Sequence, residues 1–233
     1  ADLRRAIHGN TFEPHFQPIM RMSDATVVGH EALLRWRHEQ RGLLAPGAFL
    51  DVGEEGGLIE QIEWLMYARV IADMARSNMD GYVAINVSPR HFRSLDFADR
   101  LLGLLDIAHV APSRLRIEIT EVALLDDAPR ISQTLNMLRE RGVLAQLDDF
   151  GTGFSALSYL HRFPIAALKI DRSFIADLNG DAGAESVAVI RAIVALAGSL
   201  GIELIAEGVE TPFQRDRLME LGCTYAQGFL YGR

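Results

Sequence analysis

The chain has 233 residues, 49% of them hydrophobic, enough for a sizeable core in one large domain or two small ones. Its 31 acidic and 23 basic residues give a net charge of −8, which excludes a broad electrostatic grip on long nucleic acid. It leaves open a small phosphate-bearing ligand, because bound cations can invert the local sign.

The single cysteine, Cys223, excludes an internal disulfide and fits a reducing, cytoplasmic compartment. No stretch approaches the roughly 18 apolar residues that span a bilayer, the most hydrophobic one, Ser186–Leu200, carrying Arg191. No signal peptide is visible, and the chain starts at Ala1 rather than Met. No Ser/Gly-rich linker, charge block or low-complexity tract divides it. The expectation is one domain over residues 1–233, cut from a longer multidomain protein.

Residues 2–8 predict a short helix. Strand-like segments at 15–20 and 26–34 flank a polar turn with Ser23 and Asp24, the spacing of an antiparallel hairpin. From there apolar strands, predicted at 82–88, 114–120, 143–148, 166–171, 202–207 and 224–229, alternate with helices near 58–76, 96–108, 128–141, 184–200 and 212–221. Ile59, Ile62, Leu65, Met66, Val70 and Ala72 recur at helical spacing in the first of these helices. Thr211-Pro212 reads as N-cap and first helical position, and Gly222 as a stop. Repeated strand–helix units imply a parallel sheet with right-handed crossovers, and about eight strands at this length point to a TIM-like (β/α)8 barrel.

Successive side chains of a strand point to opposite faces, so parity sorts them. Leu115, Ile117 and Ile119 share one face, and Arg116, Glu118 and Thr120 the other. Leu168 and Ile170 oppose Lys169 and Asp171; Leu204 and Ala206 oppose Glu203, Ile205 and Glu207. With apolar faces turned to the helices, Glu31, Asn86, Glu118, Asp148, Lys169 and Glu207 converge on the barrel axis, each toward the C-terminal part of its strand, where barrel enzymes keep their sites.

Asp148 and Asp149 end the apolar run Val143, Leu144, Ala145, Leu147 and open into a glycine-rich turn. A solvated Asp-Asp turn is the simpler reading of that stretch alone. With several acids aimed at one mouth, however, countercharge is required, and divalent metal is the simplest source. An all-oxygen ligand set without His or Cys favours Mg²⁺ or Mn²⁺ over Zn²⁺. One carboxylate bridging two ions is a sound basis for a two-metal site.

Seven motifs in order, Glu31-Ala-Leu-Leu-Arg-Trp36, Asn86-Val-Ser-Pro89, Glu118-Ile-Thr-Glu121, Asp148-Asp-Phe-Gly-Thr-Gly153, Lys169-Ile-Asp171, Glu207-Gly-Val-Glu210 and Gln227-Gly228, resemble those of the EAL-domain family of cyclic di-GMP phosphodiesterases. Each is weak alone; their order on separate strand ends, from about Phe16 to Gly228, is specific. The resemblance implies a barrel with an antiparallel first strand, and hydrolysis of one phosphodiester of cyclic di-GMP to linear pGpG by a water activated between two Mg²⁺ or Mn²⁺ ions. A catalytically silent cyclic di-GMP receptor is the alternative, although no ligand is missing here.

By motif, the resemblance gives Glu31, Asn86, Glu118 and Asp148 to one metal, and Asp148, Asp149 and Glu207 to the second. It makes Lys169 the lysine that orients the water and stabilises phosphoryl charge. Glu207 or Glu210 would accept a proton or support the ligands, with the two roles not separated. Gln17, Arg35, Asp171 and Gln227 would contact substrate, Arg35 through its fork. Glu121 would steady the loop Gly151–Ser155 that places the two aspartates. Trp36 and Phe154 read as packing residues, and no histidine pairs as a ligand. A homodimer and fused upstream sensory or membrane domains follow by the same resemblance, this piece itself carrying no membrane segment.

Overall fold

The chain enters its sheet through the hairpin that the polar turn predicts. In the computed structural model, which describes residues 2–151, 160–179 and 183–232, β1 (Phe12–Arg21) runs antiparallel to β2 (Thr26–His38), with Gln17 opposite Glu31. A third strand, β3 (Gly42–Leu44), extends the far end of β2. Then β4 (Tyr82–Asn86), β5 (Leu115–Thr120), β6 (Leu144–Phe150), β7 (Ile165–Ile170) and β8 (Glu203–Ala206) add in parallel, starting from β2. The last strand, β9 (Tyr225–Ala226), lies parallel to β8 and antiparallel to β1 and closes the ring. Leaving β3 aside, eight strands form the TIM-like barrel with an antiparallel first strand that the sequence implies.

Parity holds along these strands. Val83, Ile85, Leu115, Ile117, Ile119, Leu168, Ile170 and Leu204 are buried beneath the helices in one large apolar cluster. Each such side chain withdrawn from water stabilises the fold by about 1.5–3 kcal/mol. A second, smaller cluster of Ile19, Tyr82, Ala84, Ala167 and Ile205 fills the barrel interior. Two of its members are alanines, and Arg116 lies among these inward residues with its guanidinium 3.8 Å over the Tyr82 ring. The first helix, Asp2–His8, joins Trp36, Phe12 and Phe49 in a third cluster; Trp36 Nε1 donates to Thr11 Oγ1, so Trp36 is a packing residue as its sequence context suggests.

Several expectations need correction. Leu65 and Ala72 are only half-buried, because Tyr67, Ile71 and Met74 complete the core face of helix Ile59–Arg76. Strands β8 and β9 are shorter than predicted, since the chain turns at Gly208 (φ 67°) and Gly228 (φ 151°) directly after the site residues. Consequently β9 pairs through only two residues with each neighbour. Glu31 sits in the middle of β2 rather than near its end, because β2 continues past the barrel rim to His38. Helix Gly183–Leu200, despite Arg191, is long and apolar enough by length and composition to cross a membrane, contrary to the expectation that no stretch approaches that; here Ile190, Ile193 and Ala197 are buried against the barrel.

The predicted caps at the last helix are in place: Thr211 and Gln214 form a capping box, and Gly222 is left-handed. Phe154 lies outside the described residues.

Gly81, at φ 72°, lets β4 start against β2; a Cβ there would lie 1.9 Å from Val28 O. Gly81→Ala is therefore expected to cost about 2 kcal/mol or more in urea unfolding. Wild-type stability in that variant would show that the β2–β4 approach is looser than described.

Candidate functional site

The side chain at the centre of the barrel mouth is Lys169, fully buried on β7. Its Nζ lies 3.0 Å from Glu31 Oε2, 2.8 Å from Glu118 Oε2, 3.1 Å from Asp148 Oδ1 and 2.7 Å from Glu207 Oε1. These acids come from β2, β5, β6 and the residue after β8, so the fold collects on one nitrogen what the sequence spreads over 177 positions (207 − 31 + 1). An ammonium has three N–H donors, fewer than the carboxylates around it. A lone strand-end lysine would ordinarily extend its amine to water; this one does not.

Amides complete the ring. Asn86 Nδ2 donates to Glu31 Oε1 at 2.9 Å. Gln227 Nε2 donates to Glu31 Oε2 at 2.7 Å and to Glu207 Oε1 at 2.9 Å. Gln146 Nε2 donates to Glu118 Oε1 at 2.8 Å.

Asp149 would point away from Asp148 in a regular strand. The β6–β7 register shifts between Leu147 and Phe150, and Asp149 takes a left-handed φ of 54°. Such a residue costs energy and is over-represented where function dictates geometry. The result is that Asp148, Asp149 and Glu207 each bring a carboxylate oxygen within 4.8 Å of one another.

Charge in this ring is unbalanced. Burial pushes Glu31 up, but the Lys169 charge with the Asn86 and Gln227 hydrogen bonds brings it down to about 2. Glu118 goes the other way: burial and the Glu31 charge hold it well above the usual carboxylate range despite Lys169. Burial raises Glu207 to about 7 against the pull of Lys169, and burial with the Asp148 charge raises Asp149. Lys169 itself stays protonated, the surrounding acids outweighing its burial. The sequence-based expectation that dications alone could neutralise these acids is thus corrected, since a lysine already supplies one charge. One charge against five carboxylates still leaves a deficit.

Donor chemistry fits a hard divalent cation. Every candidate ligand is oxygen, and the carboxylates outnumber the fixed cation. The buried Asp148 Oδ1 touches Lys169 without hydrogen-bonding geometry and has no other partner, and Gln227 Oε1 is likewise buried and unpartnered.

Gln17, Glu31, Asp148, Glu207, Glu210 and Gln227 line one cavity of about 290 Å³, together with Arg172 and Phe229. A larger cleft of about 610 Å³ beside Trp36 and Phe49 gathers no cluster of acids. Arg35 and Glu121 stand apart from the ring, whereas Asp171 adjoins Asp149 through a side-chain hydrogen bond. Arg35 is half-buried further along β2 and donates to Leu34 O at 2.9 Å. Asp171 caps the short helix Arg172–Ala176, accepting from Ser173 N at 3.0 Å and from Ser173 Oγ. Glu121 is buried immediately after β5, while residues 152–155 of the loop assigned to it lie outside the described residues.

Arg172 is a residue that sequence reading missed. Its signal was its place directly after Lys169-Ile-Asp171, and Gly208 lets the Glu207 loop lie against it, since a Cβ there would stand 2.6 Å from Arg172 Cβ. Gln214, also unassigned, pins that loop by accepting from Glu210 N and Thr211 N while donating to Ile175 O.

A family model described as EAL domain matches residues 1–233. The cyclic di-GMP phosphodiesterase NbdA of Pseudomonas aeruginosa is 38% identical over 236 residues, covering 100% of this chain and 30% of that protein. The cyclic di-GMP phosphodiesterase RocR of the same organism is 37% identical over 236 residues, covering 100% of this chain and 60% of that protein. Among solved structures, the PaMucR phosphodiesterase in complex with c-di-GMP matches with a TM-score of 0.92 at 40% identity, covering 100% of this chain and 95% of that one. The chain thus spans between about a third and three fifths of the length of these two curated relatives.

A carboxyl whose folded pKa is raised contributes stability below its unfolded pKa and loses it as pH rises through the folded value. For Glu207 that window runs from 4.5 to about 7. Metal-free protein is expected to lose on the order of 3 kcal/mol across it, and millimolar Mg²⁺ to flatten the slope. Denaturant titrations at pH 5 and 7.5, with and without Mg²⁺, measure this; equal metal-free stability at both would mean the ring is already neutralised.

Proposed function

We propose that this chain, which belongs to the EAL domain family, hydrolyses one phosphodiester bond of cyclic di-GMP to linear pGpG. The observation that carries the reading is the ring of Glu31, Glu118, Asp148 and Glu207 around a single lysine, with Asp149 turned in beside it. Relatives named as cyclic di-GMP phosphodiesterases match the chain along its length.

Two divalent cations, Mg²⁺ or Mn²⁺, would supply the positive charge that polarises the phosphodiester and makes hydroxide available near neutral pH. Glu31, Asn86, Glu118 and Asp148 would hold one of them, and Asp148, Asp149 and Glu207 the other. With Asn86 Nδ2 spent on Glu31, its Oδ1 is the atom left for a cation. Lys169 draws the four carboxylates to one point against their mutual repulsion, and its fixed charge suits phosphoryl oxygens in the transition state.

Gln17, Gln227 and Arg172 face the cavity where a nucleotide would rest, and the Arg35 fork suits a phosphate oxygen. Asp171 borders the site through its cap. Glu210, beside Glu207 on the Gln214-pinned loop, accepts a proton or supports the ligands. The buried Cys223 accords with a reducing cytoplasm, and the greater length of the relatives accords with further sensory or membrane domains on one polypeptide. Pairing of two barrels belongs to the same reading.

Incubation of the chain with cyclic di-GMP and Mn²⁺ is expected to yield pGpG on chromatography. Tight binding without product would make the protein a silent receptor instead. Glu31→Ala should abolish turnover even in excess Mg²⁺; near-normal activity would remove Glu31 from the ligand set. Lys169→Ala should lower kcat roughly 10²-fold, the scale of losing a charge-stabilising donor, with KM little changed. A change confined to KM would assign the lysine to ground-state binding. Ca²⁺ should bind yet support turnover poorly, its looser coordination misplacing the water; robust Ca²⁺-driven hydrolysis would count against the two-ion reading.

A further inference from the structure

Beneath the acid ring, a polar chain runs down the inside of the barrel that none of the seven motifs contains. Gln146 on β6 is completely buried, with Nε2 donating to Glu118 Oε1 at 2.8 Å. Its Oε1 accepts from Arg116 Nη1 at 3.0 Å. Arg116 stands on β5 two residues before Glu118 and therefore on the same inward face. It is held in turn by Glu203 Oε2 at 2.7 Å and by the Tyr82 ring, 3.8 Å beneath its guanidinium carbon.

The chemistry of these groups permits one arrangement. A guanidinium can only donate, so the amide oxygen of Gln146 must face Arg116 and its NH₂ must face Glu118. Glu118 Oε1 is then tied from below, while Oε2 points to the ring, 2.8 Å from Lys169. With one oxygen tied, rotation of the carboxyl group about its last bond would break a buried hydrogen bond, and a donor left unsatisfied there is costly.

We infer that Gln146, oriented by Arg116, is a positioning residue that presents Glu118 Oε2 to a divalent cation. The inference rests on the metal-dependent reading above, and adds to it that metal affinity is set partly from the barrel interior. Partners behind a metal ligand typically contribute 10–100-fold in affinity.

The test compares Mn²⁺ binding to the metal-free chain by calorimetry for wild type, Gln146→Met and Arg116→Met, with thermal unfolding of each metal-free variant alongside. Methionine keeps the length of the glutamine but neither donates nor accepts as an amide does. Gln146→Met is expected to weaken Mn²⁺ binding by about tenfold or more. Arg116→Met, which leaves Gln146 in place but frees its amide to turn over, should weaken it several-fold and serves if the first variant does not fold. A lowered unfolding temperature with unaltered Mn²⁺ affinity in either folded variant would make the chain of contacts structural only and overturn the inference. Absence of Mn²⁺ binding by wild type would overturn the metal-dependent reading itself and this inference with it, an outcome distinct from variants that bind as wild type does.

Discussion

One ammonium among five carboxylates is the constraint that shapes the barrel mouth. Lys169 cannot reach water, because β7 holds it inside the ring, and it cannot satisfy all the acids, because it has three protons to offer. In the metal-free protein, burial and the neighbouring acids push Glu118 and Glu207 above the usual carboxylate range, against the pull of Lys169. The amides of Asn86, Gln146 and Gln227 turn their N–H groups toward carboxylate oxygens and so partly substitute for missing charge. Breaking a buried arrangement of this kind by removing one partner usually costs more than the arrangement contributes, and the ring is better understood as a poised binding site than as a source of stability.

The backbone departs from regularity where that site demands it. Asp149 adopts a conformation ordinarily left to glycine, and β6 slips its register against β7 at the same point. Gly208 and Gly228 terminate their strands so that the Glu207 loop can lie against Arg172 and against the residue after Gln227. Regular strands deliver Asn86, Glu118 and Lys169; Asp149 comes from the irregular end of β6, and Glu207 and Gln227 from the residues just past β8 and β9.

That division explains what the sequence made legible. Period-two alternation identified the inward residues of β4, β5 and β7, and the hairpin spacing anticipated the antiparallel first strand. Parity could not anticipate that Lys169 would contact four acids at once, because that depends on how far each strand is staggered around the ring. Helix Arg172–Ala176 is too short to display a helical period, so Asp171 read as a strand end rather than a cap, and Arg172 went unnoticed. Gln146 interrupts the apolar run of Val143, Leu144, Ala145 and Leu147, and its significance lies in Arg116, thirty residues away on the neighbouring strand.

The closing strand has a consequence for motion. Because β9 contributes two residues to each flanking ladder, the cylinder is fastened there by its slenderest joint, whereas β1 and β2 are stitched along ten positions. Proteins breathe first where few backbone bonds must part. The residue immediately beyond that joint is Gln227, which clasps both Glu31 and Glu207, so any loosening of the seam slackens two acids together.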